Sequence, residues 1–169
     1  MKRNGFTLVE LLVVITIVAV LLGVGYPLSR SLIARSREAS CIGNLRSLGV
    51  ALQTYLQEHN NTMPVLKAGR SVKTADEPVL ETALLPYLGS EEAFHCPADS
   101  KVFAKSGSSY LWNSTQNGLP YSDLSFFGIK DRPDKIPLIT DKEAWHPSGT
   151  NFLYADQTSS NKPRFAVDN

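Results

Sequence analysis

Apolar residues crowd the start of the chain. Between Phe6 and Tyr26 only Thr7, Glu10 and Thr16 are polar. A helix rises 1.5 Å per residue, so a run of about twenty apolar residues spans roughly 30 Å, the hydrocarbon thickness of a bilayer. The run ends in Gly23, Gly25, Tyr26 and Pro27. These offer no small-x-small site of the kind that closes a cleavable signal peptide, so a retained membrane anchor is expected. Pro27 lacks an amide hydrogen and the two glycines lower helix propensity, so a kink is expected there.

Beyond the kink the periodicity becomes amphipathic. Cys41, Leu45, Leu48, Leu52 and Tyr55 recur at steps of four and three, which is one stripe of a helix. Arg37, Arg46, Gln53 and Gln57 lie off it. The helix should end near His59, Asn60 and Asn61, ahead of Pro64. Its stripe is the seam for a docked domain, since two heptads are too few for a coiled coil. Residues 62–78 read as a loop. Residues 79–85 read as a short helix stopped by Pro86 and Gly89. Residues 109–112, 136–140, 151–155 and 164–167 are short β-type runs between turn signals, and Phe152 and Tyr154 should share a face. The predicted fold is α+β: a long N-terminal helix, part transmembrane and part amphipathic, packed on a small antiparallel sheet domain.

Charge changes the picture little. From Ser29 onward fifteen Lys/Arg face fifteen Asp/Glu, so this part is neutral and offers no basic field for a nucleic acid. Lys2 and Arg3 on one side of the span nearly balance Arg30, Arg35 and Arg37 on the other. A long following domain still translocates in that case. Glu10 is costly inside an apolar span, and reads either as a protonated or snorkelling glutamate near the interface or as one half of an ion pair with a positive group on a neighbouring subunit. Cys41 and Cys96 form an even pair, which in an exported domain permits a disulfide; two buried free thiols are the alternative.

Residues 5–15, reading GFTLVELLVVI, resemble the processing and methylation motif of type IV prepilins and type II secretion pseudopilins. The resemblance implies cleavage after Gly5 by a prepilin peptidase and N-methylation of Phe6. It also implies an assembly role for Glu10, and a family position for Pro27. Cleavage would place a positive amine on Phe6, and in a staggered bundle that amine could neutralise a neighbour's Glu10. Later segments resemble a subgroup of prepilin-type proteins abundant in planctomycetes and verrucomicrobia. They are CIGNLRSLG (41–49), PYL (86–88), CPAD (96–99), SYLWN (109–113), and His146 followed after nine residues by Asp156. That last signature continues with glycine in the subgroup, and here Gln157 stands in its place.

The implied organisation is a leader at 1–5, a transmembrane helix at 6–28, an amphipathic continuation at 29–60 and an α+β domain at 61–169. The implied location is the bacterial inner membrane, single-pass, with the N-terminus cytoplasmic and the domain periplasmic, or in a filament after assembly. The implied partners are other pilin subunits, the prepilin peptidase and the assembly platform. A membrane-anchored binding module that does not assemble is the alternative, with Trp112, Tyr121 and Trp145 as its candidate carbohydrate face. No enzyme is expected. The chain has no nucleophile elbow and no metal-ligand spacing among its histidines, and His146 reads as a locally bonded turn residue. No cofactor is expected; calcium at residues 156–161 is the one candidate, and the stretch lacks Asp-x-Asp spacing.

Overall fold

The computed structural model describes residues 7–165. The leader, the Gly5/Phe6 junction and part of the expected strand 164–167 lie outside these residues.

Helix α1 runs from Leu8 to Glu58, 51 residues, or about 75 Å. Thr7 caps it. Its hydroxyl accepts from the Glu10 amide at 3.2 Å, while Glu10 Oε2 accepts from the Thr7 amide and hydroxyl at 2.8 Å each. This reciprocal box satisfies otherwise orphaned helix-start donors. The element is continuous through Pro27. Asn60 and Asn61, both left-handed, turn the chain away at its end. Asparagine tolerates that conformation better than most residues.

The two halves of α1 differ in burial. In the first half an 18-residue window has mean hydropathy 2.8 with none of it buried. Length and composition suit it to cross a membrane. Burial begins at Glu38 and continues through Cys41, Leu45, Leu48, Ala51, Leu52 and Leu56. The expected stripe is the docking seam, with Leu56 rather than Tyr55 as its last fully buried member.

Helix α2 spans Leu80–Leu88, longer than expected. Pro86 does not stop it. A proline removes one amide donor, and this short helix tolerates the loss near its end. Gly89 (φ 69°) ends it in the left-handed region. Leu80 and Leu84 are buried in the core that α1 also lines. The Tyr87 hydroxyl donates to Glu58 Oε2 at 2.6 Å, and the Tyr87 ring meets Tyr55 edge-on. Helix α3 (Val102–Ser106) was not expected from the sequence pattern.

Strands β1 (Tyr110–Trp112), β4 (Pro137–Asp141), β5 (Phe152–Tyr154) and β6 (Ser159–Ser160) form an antiparallel sheet in the order β1-β4-β5-β6. Three expected strands are there with no end moved by more than one residue. The fourth differs: β6 forms the edge beside β5, and Arg164 and Phe165 are not in a strand. Strands β2 (Ser125–Phe126) and β3 (Ile129–Lys130) make a separate hairpin. Leu153 of β5 faces α1 at Gly49. A Cβ on Gly49 would lie 3.1 Å from Leu153 Cδ1 and 2.6 Å from Gln157 Oε1, so the missing side chain lets helix and sheet approach. Phe152 and Tyr154 rings lie 6.1 Å apart, as neighbours on one face do.

Candidate functional site

Four segments far apart in sequence meet at one point on α1. Cys41, buried on the seam, is bonded to Cys96, with Cα atoms 5.0 Å apart. One turn further along α1, Asn44 Nδ2 donates to the His95 carbonyl at 2.7 Å. The Cys96 amide donates to Ser109 Oγ at 3.0 Å, and the Ser109 hydroxyl donates to Asp99 Oδ2 at 2.7 Å. Asp99 also accepts from the amides of Lys101, Val102 and Phe103 at 2.7–2.8 Å, which caps the start of α3. Burial raises the Asp99 carboxyl, but the Ser109 hydroxyl and three amides outweigh it and hold the group below its ordinary value. Cys41, Asn44, Cys96, Asp99 and Ser109 thus form a single staple between helix and domain.

His146 corrects the expectation of a locally bonded turn residue. Its backbone does turn: the Gly149 amide donates to the His146 carbonyl at 2.9 Å. Its ring leaves the turn for the core. Nε2 lies 3.4 Å from Cys96 Sγ and 3.5 Å from Asp141 Oδ2, with both side chains fully buried. Burial pushes the Asp141 carboxyl up to about 7, against an amide bond from Asn151 at 2.8 Å. Burial also pushes the His146 ring down, against the field of Glu38. Desolvation disfavours both charged forms.

Glu38, one turn before Cys41, ties the surrounding loops to α1. It accepts from the Ser148 hydroxyl and, at 2.9 Å, from Asn161 Nδ2. Burial raises its carboxyl, and these bonds outweigh that to leave it lowered. Sequence reasoning passed over Glu38 and Asp99. Glu38 carried a signal, since it lies three residues before Cys41 on the apolar stripe; Asp99 carried none, because the one-turn helix it caps has no apolar periodicity to announce it.

Asp156 does not join His146. Its Oδ1 accepts from the Thr158 amide and hydroxyl at 3.0 and 2.6 Å, and its Oδ2 is 3.9 Å from Arg164 Nη1. The calcium candidate at 156–161 therefore contains one carboxylate, committed to a turn. That turn links β5 to β6, with the Gln157 amide donating to the Tyr154 carbonyl at 3.0 Å and the Tyr154 amide to the Thr158 carbonyl at 2.9 Å. Gln157 sits at φ 66°, the left-handed position where glycine costs nothing. The tight turn survives the departure from glycine, and the added side chain reaches Gly49 of α1.

The candidate carbohydrate face is dispersed. Trp112 is buried and its Nε1 donates to Asn117 Oδ1 at 2.7 Å. The Tyr121 hydroxyl donates to the Ala155 carbonyl, and Trp145 Nε1 to Glu143.

At the other end of the molecule, Glu10 stands among exposed aliphatic side chains, its carboxylate held by Thr7 alone among the described residues. Neither any curated protein nor any solved structure matches the chain. Residues 1–26 match the prokaryotic N-terminal methylation motif, so the chain carries a prepilin-type N-terminus ahead of a pilin-like α+β architecture.

Proposed function

We propose that the chain is a structural subunit, a pseudopilin or minor pilin, of a type II secretion or type IV pilus-like filament. Residues 1–5 serve as leader, 6–28 span the bacterial inner membrane and 29–60 continue the helix. Residues 61–169 form the periplasmic domain. A prepilin peptidase cuts after Gly5, Phe6 is methylated, and neighbouring subunits pack through their helices on an inner-membrane platform.

One observation carries the reading: the motif at residues 1–26 leads into a continuous helix whose exposed apolar half bears a single carboxylate, Glu10. A plain anchor has no use for that carboxylate, whose presence near the end of a span raises the insertion cost. The Phe6 amine of an adjacent subunit would neutralise it. Mass spectrometry of the membrane form tests the processing step. The expected N-terminus is methylated Phe6, and Gly5→Val should leave the leader attached. An intact Met1 terminus in the wild type would overturn the reading.

The anchored binding module is favoured by a different observation. An apolar cleft of about 240 Å³, lined in part by Leu111, Phe126, Phe152 and Phe165, opens on the sheet face away from α1. A binding module would keep its activity when Glu10 is replaced and would show no subunit crosslinks.

A further inference from the structure

The disulfide has side chains around it that could ligate a metal ion. Cys41, Cys96 and His146 are all buried and present two sulfurs and one ring nitrogen within 4.8 Å of one another. Asp141, outside that group, has a carboxylate oxygen 3.5 Å from the same nitrogen. In a tetrahedral zinc centre, bond lengths of about 2.3 Å to sulfur and 2.0–2.2 Å to nitrogen and oxygen put neighbouring ligand atoms ~3.3–3.8 Å apart. The Cys96 Sγ to His146 Nε2 distance of 3.4 Å and the His146 Nε2 to Asp141 Oδ2 distance of 3.5 Å already have that spacing. Asp141 Oδ1 and His146 Nδ1 are buried without partners. A disulfide alone needs no imidazole and carboxylate packed on it.

We propose that the reduced chain binds one zinc ion through Cys41 Sγ, Cys96 Sγ, His146 Nε2 and Asp141 Oδ2. A dithiol supplies two electrons and two protons, the S–S bond becomes two thiols, and the dithiol closes to its own disulfide. Zinc then displaces one proton from each thiol, and the sulfurs separate to opposite corners of one tetrahedron edge. Two thiolates, imidazole and carboxylate suit zinc over magnesium or calcium, which take oxygen ligands. The loop carrying Cys96 stays tied to α1 in either redox condition, by a covalent bond or by a metal, and the metal would add the turn carrying His146 to that tie. This inference is independent of the filament reading and concerns the junction between α1 and the globular domain.

Cobalt titration of the full chain in detergent, reduced with dithiothreitol, stripped with chelator and freed of both without oxygen, tests it. The expected result is one equivalent of cobalt with thiolate charge-transfer absorption and the intense visible bands of a tetrahedral site, bleached by zinc. The oxidised chain should bind none. His146→Ala should weaken zinc by more than the roughly 10–100-fold that an outer-shell partner costs, and Asp141→Asn should change the visible bands while keeping the charge transfer. Far-ultraviolet circular dichroism reports whether each variant is folded. A reduced wild type that needs zinc to recover its helix signal would also support the site. Absence of a charge-transfer band, one cobalt per two chains, or a folded His146→Ala with unchanged affinity would overturn it.

Discussion

Glu10 and Asp99 are both carboxylates that accept backbone amides at a helix start, and they stand in opposite surroundings. Glu10 is set among lipid-seeking side chains. Replacing it with leucine removes a cost of up to about 2.5–3.5 kcal/mol at mid-span and less near an end. Glu10→Leu should therefore insert at least as well as the wild type. It should also lose subunit crosslinks in cells, because the neighbour's amine has no partner. Undiminished crosslinking would count against the ion pair. Asp99 is buried and bonded by three amides and one hydroxyl. Its folded-state pKa is depressed, so its contribution is present above the unfolded value near 4 and is lost as pH falls through the lower folded value. Asp99→Ala should cost about 1–3 kcal/mol at neutral pH, the penalty for leaving buried donors unpaired. Urea midpoints measured from pH 7 down to pH 3 should keep their gap until about pH 4 and narrow below it, as the wild type begins to lose the charged acceptor. A constant gap over that range would refute the assignment.

At the scale of elements, the close approach of α1 and β5 depends on Gly49. Gly49→Val puts a branched side chain where even a Cβ meets Leu153 at 3.1 Å. Overpacking of this kind costs about 1–3 kcal/mol, and thermal unfolding of the variant should show it. A neutral or stabilising result would mean that the helix and sheet are not in contact there. The elements also separate what pattern can reveal from what it cannot. Helix α1 was legible because its apolar stripe repeats over several turns, and its end because paired asparagines precede a proline. Strands β2, β3 and β6 have two residues each, too few for alternation to rise above chance. Helix α3 is one turn long, and its reason for forming is the Asp99 cap rather than an apolar face.

The whole molecule is a long rod with a small domain clamped to its far half by one covalent link. Cys41 and Cys96 are 55 residues apart, and the bridge removes loop freedom from the unfolded chain. On the chain-entropy account this is worth about 4 kcal/mol, a large share of the roughly 5–15 kcal/mol that holds a domain together. Cys41→Ser with Cys96→Ser should lower the unfolding free energy by an amount of that order in oxidising buffer. Chemical denaturation of the detergent-solubilised chain, followed by the fluorescence of Trp112 and Trp145, measures it. A loss below about 1 kcal/mol would mean that Glu38, Asn44 and Asp99 hold the domain without the bridge.

What the sequence by itself determined is local and periodic. The apolar run, the stripe from Cys41 onward, the short alternating strands and the motif around Gly5 and Glu10 are each readable within a few turns of chain. Backbone geometry maps such spacing directly onto faces. The presence of two cysteines allowed a bridge, without deciding between a bond and two thiols. Only the tertiary structure decided where His146 and Asp141 go, because their partners lie 50 and 5 residues away and no spacing rule connects an imidazole to a particular sulfur. It also decided that Gln157 keeps a turn expected to need glycine. The left-handed glutamine sends its side chain into the groove at Gly49, and that groove exists only once the helix and sheet have met.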